Sequence, residues 1–123
     1  SKPGSLHTRL IVLTNKTSGC GAEILAMTLQ DHHRATVIGQ PTAGILSGHD
    51  FEKLSDGRMI VFRAEPTVLS PNGKDYSDVG ISPDILVKPS PKSDKDKILD
   101  RAIQHIQNHP SQDAIREQKQ RGN

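Results

Sequence analysis

Cys20 is the residue of this sequence with the most chemistry within its reach. It stands in Thr17-Ser18-Gly19-Cys20-Gly21-Ala22-Glu23, between an apolar run and a stretch with helical spacing. A thiol at the start of a helix meets the unpaired N–H groups of the first turn, which favour a thiolate and can also hold an oxyanion. Those are the two needs of an acyl-transfer nucleophile. Gly19 and Gly21 leave room for a substrate carbonyl to approach the backbone. The competing account is that a lone cysteine is more often a small buried apolar residue than a nucleophile. His49, in the glycine-rich segment Gly39 to Asp50, is a candidate general base, against the ordinary fate of a loop histidine as an exposed polar side chain.

Other polar groups carry weaker signals. His32 and His33 are adjacent, so their side chains diverge, and no acidic or cysteine ligand clusters with them; they read as a solvated helix end rather than a metal site. Asp75, Asp78 and Asp84 lack the regular ligand ladder that calcium requires. The glycines at 39, 44 and 48 lack the lysine and hydroxyl of a phosphate-binding loop. One cysteine excludes an internal disulfide and a cysteine-based zinc cluster.

The elements that position these residues follow from local pattern. Arg9 to Thr14 is a short, β-branched apolar run that predicts a buried strand. From Gly21 to Gln30 apolar residues cover most of a helix surface, which predicts an interior helix, and Thr36-Val37-Ile38 predicts a second buried strand. Strand, loop, helix and strand in so few residues are the footprint of a βαβ crossover. Gly39 to Asp50 is too flexible for an element and too apolar for a solvent loop, so it should lie against something. Asp56-Gly57 between two strand-like runs predicts a hairpin, and Asn72-Gly73 another tight turn. Ile85-Leu86-Val87 predicts a last strand. A helix over 94–105, capped by Ser93, should pack through Ile98, Ala102, Ile103 and Ile106.

Length and composition bound what such elements can build. The 123 residues suit one domain, and 33% hydrophobic residues with only Phe51, Phe62 and Tyr76 as aromatics give an aliphatic core. Sixteen Lys and Arg against 14 Asp and Glu leave a charge of +2, too small and dispersed for a nucleic-acid footprint. No apolar run approaches the roughly 20 residues of a membrane helix. Residues 1–8 read as a leader or linker, 9–109 as the domain and 110–123 as a disordered tail.

Four segments in order resemble the catalytic core of the carboxy-terminal processing (tail-specific) proteases and their relatives in the tricorn core protease group. They are Thr17 to Leu25, then Arg34-Ala35-Thr36-Val37-Ile38-Gly39-Gln40-Pro41-Thr42-Ala43-Gly44, then Ser55-Asp56-Gly57, then Val79-Gly80-Ile81-Ser82-Pro83-Asp84-Ile85. The resemblance runs from Arg9 to Ile106 and implies the carboxy-terminal portion of an α/β domain with the ββα-repeat fold of the crotonase and Clp-protease type. It implies the nucleophile position at Cys20, where the family carries serine, and an oxyanion donor at the Gly21 N–H. Members with a Ser-Lys dyad have their lysine where this sequence has Ile45. Tricorn-like members place a glutamate where Ser77 stands, and Asp78 beside it is a candidate in its stead. A cysteine tolerates the loss of the lysine better than a serine, because its thiol ionises nearer neutrality.

The implied function is a serine-type endopeptidase, here with cysteine at the nucleophile position, that cleaves polypeptides through an acyl-enzyme. The resemblance implies no metal or organic cofactor, and a periplasmic, envelope-associated or secreted location. The alternative is a non-catalytic homologue that binds peptides or a small hydrophobic ligand. A third reading is a structural interaction domain whose Gly39 to Asp50 segment packs on a partner.

Overall fold

The computed structural model describes residues 8–46, 48–63, 68–88 and 96–110. In chain order the elements are β1 (Leu10–Thr14), α1 (Gly21–Asp31), β2 (Ala35–Gly39), β3 (His49–Lys53), β4 (Met59–Arg63), β5 (Ile85–Leu86) and α2 (Lys97–Asn108). Apart from Thr8 and Pro110, the expected leader and tail lie outside the described residues, as does Ser93.

The architecture is mixed α/β. β1 and β2 pair in parallel, with Leu10 opposite Ala35 and Thr14 opposite Gly39, and α1 is the crossover that a parallel pair demands. β5 adds to the other side of β2, with Ile38 opposite Ile85, so the sheet order is β1-β2-β5. Asp84 extends this join: one carboxylate oxygen accepts from the Val37 N–H at 2.7 Å and the other from the Gln30 side-chain amide at 2.9 Å. Strand β2 and the end of α1 are thereby tied to the segment that leads into β5.

The core lies between α1, the sheet and two loops. Ala26 and Met27 of α1 meet Leu46 and Ile81, with Val12, Ile24, Val68 and Tyr76 packed around them, while Val37 and Ile38 of β2 are also buried. Each large side chain removed from water here contributes about 1.5–3 kcal/mol. Buried Leu46 holds the middle of the Gly39 to Asp50 segment against the body of the protein, while the ends of that segment are strand rather than irregular, Gly39 closing β2 and His49 opening β3. At the far end of α1, the Asp31 carboxylate is held below its ordinary range chiefly by the Ser70 hydroxyl, and it accepts from the Asn72 N–H at 3.2 Å. The tight turn expected at Asn72-Gly73 closes there, with the Gly73 N–H bonded to the Ser70 carbonyl at 2.8 Å.

Three burial expectations are corrected. β1 is an edge strand of the described sheet and only partly buried, and Leu13 is 42% exposed because successive side chains point to opposite faces and it is Val12 that meets the core. α1 is buried on one face only, through Glu23, Ala26 and Met27, and Leu25 on the opposite side is 59% exposed. α2 begins at Lys97 rather than Asp94, because Asp96 supplies the cap, its carboxylate accepting from the Ile98 and Leu99 N–H groups at 3.1 and 3.0 Å. This helix packs on β1 and β2 through buried Ala102, with Ile98 and His105 half-buried beside it, while Ile103 is 44% exposed and Ile106 is exposed too.

The hairpin forms as its Asp-Gly signal predicts. β3 and β4 run antiparallel with Phe51 opposite Val61, and the Leu54 N–H bonds to the Arg58 carbonyl at 2.8 Å to close the turn. Asp56 caps that turn by accepting from the Arg58 N–H at 3.0 Å, and the Arg58 guanidinium holds its carboxyl below the ordinary carboxylate range.

Candidate active site

The site is built on the turn between β1 and α1. Asn15 starts it: its side-chain oxygen accepts from the Thr17 N–H at 2.9 Å and from the Thr17 hydroxyl at 2.7 Å, and its carbonyl accepts from the Ser18 N–H at 3.0 Å. This is the behaviour that makes asparagine a turn former. Cys20 then takes the N-cap position of α1 and is exposed. Its backbone sits at φ 54° and ψ −124°, a region that residues with a side chain avoid. Such a conformation costs about 1–3 kcal/mol and persists only where the surroundings impose it.

The surroundings that impose it converge on Glu23, which is 0% exposed. Its Oε2 accepts from the Cys20 N–H at 3.0 Å and from the Ile45 N–H at 2.8 Å. Its Oε1 accepts from the Gly44 N–H at 2.7 Å and from the Thr42 hydroxyl. One buried carboxyl group thus receives four donors, which leaves neither of its oxygens without a partner. Within the first turn the arrangement is a capping box, with cysteine in place of the usual serine or threonine.

A second set of bonds ties the same turn to the 42–45 segment. The Cys20 N–H also reaches the Ile45 carbonyl at 3.0 Å, and the Ala43 N–H bonds to the Ser18 carbonyl at 2.8 Å. The Thr42 hydroxyl, while donating to Glu23, accepts from the Ile81 N–H at 2.7 Å, so residues 80–81 join the cluster. Only glycines allow that approach. At Gly44, φ is +77°, and a Cβ there would lie 2.9 Å from the backbone of Asp78, Val79 and Gly80.

Cys20 and Gly21 are adjacent at the helix start. The Ala22, Glu23 and Ile24 N–H groups bond to the Gly19 and Cys20 carbonyls at 3.3, 2.9 and 3.2 Å. With the Cys20 N–H engaged as above, Gly21 is left, among the described residues, as the first-turn amide outside these bonds. It is exposed, and nothing lies within 4 Å of where its Cβ would be. Asp78 belongs to the rim of the cluster: at φ 62° it donates its N–H to the Gly44 carbonyl at 2.8 Å. Ser77 beside it carries a buried hydroxyl without a partner among the described residues. His49 is exposed at the start of β3, on the hairpin rather than in the hydrogen-bonded cluster. Ile45 is exposed, and its Cδ1 lies 3.6 Å from where a Gly19 Cβ would be. Among the described residues no three His, Cys, Asp or Glu side chains converge as a metal site.

Glu23 and Thr42 are residues of this cluster to which the sequence reading assigned no catalytic or binding role. The spacing of Glu23 from Cys20 was its available signal, since a glutamate three residues after an N-cap is the capping-box pattern. Thr42 offered none, because both of its partners are distant in sequence.

Residues 2–87 match peptidase family S41. The chloroplastic carboxyl-terminal-processing peptidase 3 of Arabidopsis thaliana is 37% identical over 79 residues, which are 64% of this chain and 15% of that protein. The carboxy-terminal-processing protease of Bartonella bacilliformis is 36% identical over 79 residues, 64% of this chain and 18% of its own. Among solved structures, a photosystem II D1 C-terminal processing protease superposes with a TM-score of 0.55 at 32% identity, covering 68% of this chain and 22% of that one. The chain spans less than a fifth of the length of these two curated relatives.

Proposed function

The chain belongs to peptidase family S41, and from that premise we propose that it is the carboxy-terminal portion of a tail-specific-protease-like catalytic domain with residue 20 as the nucleophile. The observation that carries this reading is the exposed Cys20 at φ 54° on a strand-to-helix turn, since strain of this kind gathers at reactive positions. The fold of the whole domain is the ββα-repeat of the crotonase and Clp-protease type, which the parallel β1-α1-β2 unit supports.

The proposed reaction is acyl transfer. The Cys20 thiolate attacks the carbonyl carbon of a peptide bond, and the tetrahedral oxyanion receives the Gly21 N–H. Collapse breaks the C–N bond, the departing amine takes a proton, and an acyl thioester remains on Cys20. Water then attacks the thioester, releasing the carboxylic acid and restoring the thiol. His49 and Asp78 are the candidate proton carriers, and polypeptides are the substrate. The proposed location is periplasmic, envelope-associated or secreted; the Arabidopsis relative is chloroplastic.

The second reading, a peptide-binding homologue without catalysis, is favoured by Ile45, which puts an apolar side chain where dyad-bearing members hold their base. Incubating the whole protein with an unstructured polypeptide and following cleavage by mass spectrometry decides between them. Cleavage that Cys20→Ala abolishes is the expected result. Cleavage undiminished in Cys20→Ala rejects residue 20 as the nucleophile, and binding without cleavage in the unaltered protein favours the second reading.

A further inference from the structure

We propose that His105 and His109, at the C-terminal end of α2, form a two-imidazole chelate for a divalent transition-metal ion of the Zn2+ or Ni2+ class, a site separate from the residue-20 cluster. Spacing is the first ground for it. The two residues are four apart, so one turn of helix brings their side chains to the same face, the arrangement by which helical histidine pairs hold zinc. Their ring centroids lie 4.7 Å apart with the planes tilted by 32°. Two imidazoles bound to one ion through nitrogens at about 2.0–2.1 Å have their centres about 5 Å apart, so little movement separates these rings from a chelate.

The second ground is the hydrogen bond that His109 makes. Its Nδ1 lies 3.2 Å from the His105 carbonyl. A carbonyl oxygen only accepts, so Nδ1 carries the hydrogen and Nε2 of the neutral ring carries the lone pair. A bond from the far ring nitrogen to a backbone carbonyl accompanies most metal-bound histidines, because it orients the ring and fixes which nitrogen faces the ion. His105 is half-buried and His109 exposed, so the pair is open to an ion from solvent and still held by the helix. No third His, Cys, Asp or Glu side chain joins them among the described residues, and water completes the ligand shell.

The setting decides which ions suit the pair and what one does there. The negative end of the helix dipole favours a cation, whereas Arg9, just before β1, and Arg101, one turn back on α2, are cations close enough to act on His105 and oppose it. Only an ion that bonds strongly to imidazole overcomes that repulsion, which leaves out Mg2+ and Ca2+ with their preference for oxygen. His109 is the C-cap of α2, at φ −132° and ψ 68°, and its N–H bonds to the His105 and Ile106 carbonyls at 3.2 and 3.3 Å. An ion shared by both rings ties the residue that leaves the helix to the last full turn and so opposes fraying of α2.

Zn2+ titration of the whole protein tests this by calorimetry and by thermal unfolding, with circular dichroism as the check of folding. Cys20 and the adjacent His32 and His33 are competing zinc ligands. The unaltered protein is therefore compared with His105→Gln, with His109→Gln, with Cys20→Ala and with the His32→Gln/His33→Gln double variant. The expected result is a Zn2+ affinity at least about tenfold lower in both His105→Gln and His109→Gln, with the Zn2+-dependent rise in unfolding temperature lost in both. Cys20→Ala and the double variant should keep the affinity and the rise, and Mg2+ should produce neither. Affinity within about twofold of the unaltered value in either His105→Gln or His109→Gln overturns the proposal, since a chelate needs both rings. Loss in Cys20→Ala or in the double variant instead, an equal effect of Mg2+, or no Zn2+ binding by the unaltered protein overturns it too. His109 is exposed at the helix end, so His109→Gln carries the test by itself if His105→Gln does not fold.

Discussion

At the scale of single residues, Cys20 holds a conformation that suits glycine better than cysteine. Relief of that strain is worth about 1–3 kcal/mol, against the 0.4–1 kcal/mol that a glycine loses through its freer unfolded chain. Cys20→Gly should therefore be more stable than Cys20→Ala by about 1 kcal/mol in urea unfolding, although neither carries a nucleophile. Equal stabilities would mean that the turn carries no strain. Cys20 itself was legible because its neighbours are turn, cap and small residues, and because an ordered set of family segments surrounds it. The four-donor role of Glu23 was not, since three of its partners come from residues 42–45 and meet it only after the chain has folded back.

At the scale of elements, α2 shows how helical spacing can identify an element and misplace its buried face. Of the expected stripe Ile98, Ala102, Ile103 and Ile106, the last two are exposed, and the helix is rotated so that Ile98, Ala102 and His105 face inward. A small residue at the contact lets helix and sheet approach closely, and that placement depends on β1 and β2 rather than on α2's own pattern. Ala102→Asp should thus cost several kcal/mol, as an unpaired charge in a closed contact does, and Ile103→Asp no more than about 1 kcal/mol. Thermal unfolding of the two variants checks this, and a larger loss from Ile103→Asp would return the stripe to the core. The hairpin was read correctly for the opposite reason: Asp56 and Gly57 determine it locally, and its own turn bonds are enough to form it.

At the scale of the whole molecule, protection from water is uneven. Val37 and Ile38 of β2 are fully buried between β1 and β5, whereas both strands of the hairpin are exposed, with Phe51 at 65%. Amide hydrogen exchange should accordingly be slowest in β2 and approach global unfolding there, and should be faster by orders of magnitude in β3 and β4. Equal protection of hairpin and sheet would contradict this division. The β1-α1-β2 unit was legible because strand, helix and strand are consecutive; the arrival of β5 beside β2 was not, because residues distant along the chain make that pairing. This layout also sets an order of assembly. Closing β1 onto β2 spans one helix, and the hairpin closes over a tight turn, but joining β5 to β2 must close a loop that contains the entire hairpin. Loop-closure entropy grows with that span and distant pairings form slowly, so the third strand is the late step of folding, and the Asp84 bonds to Val37 and Gln30 are the latch that ends it.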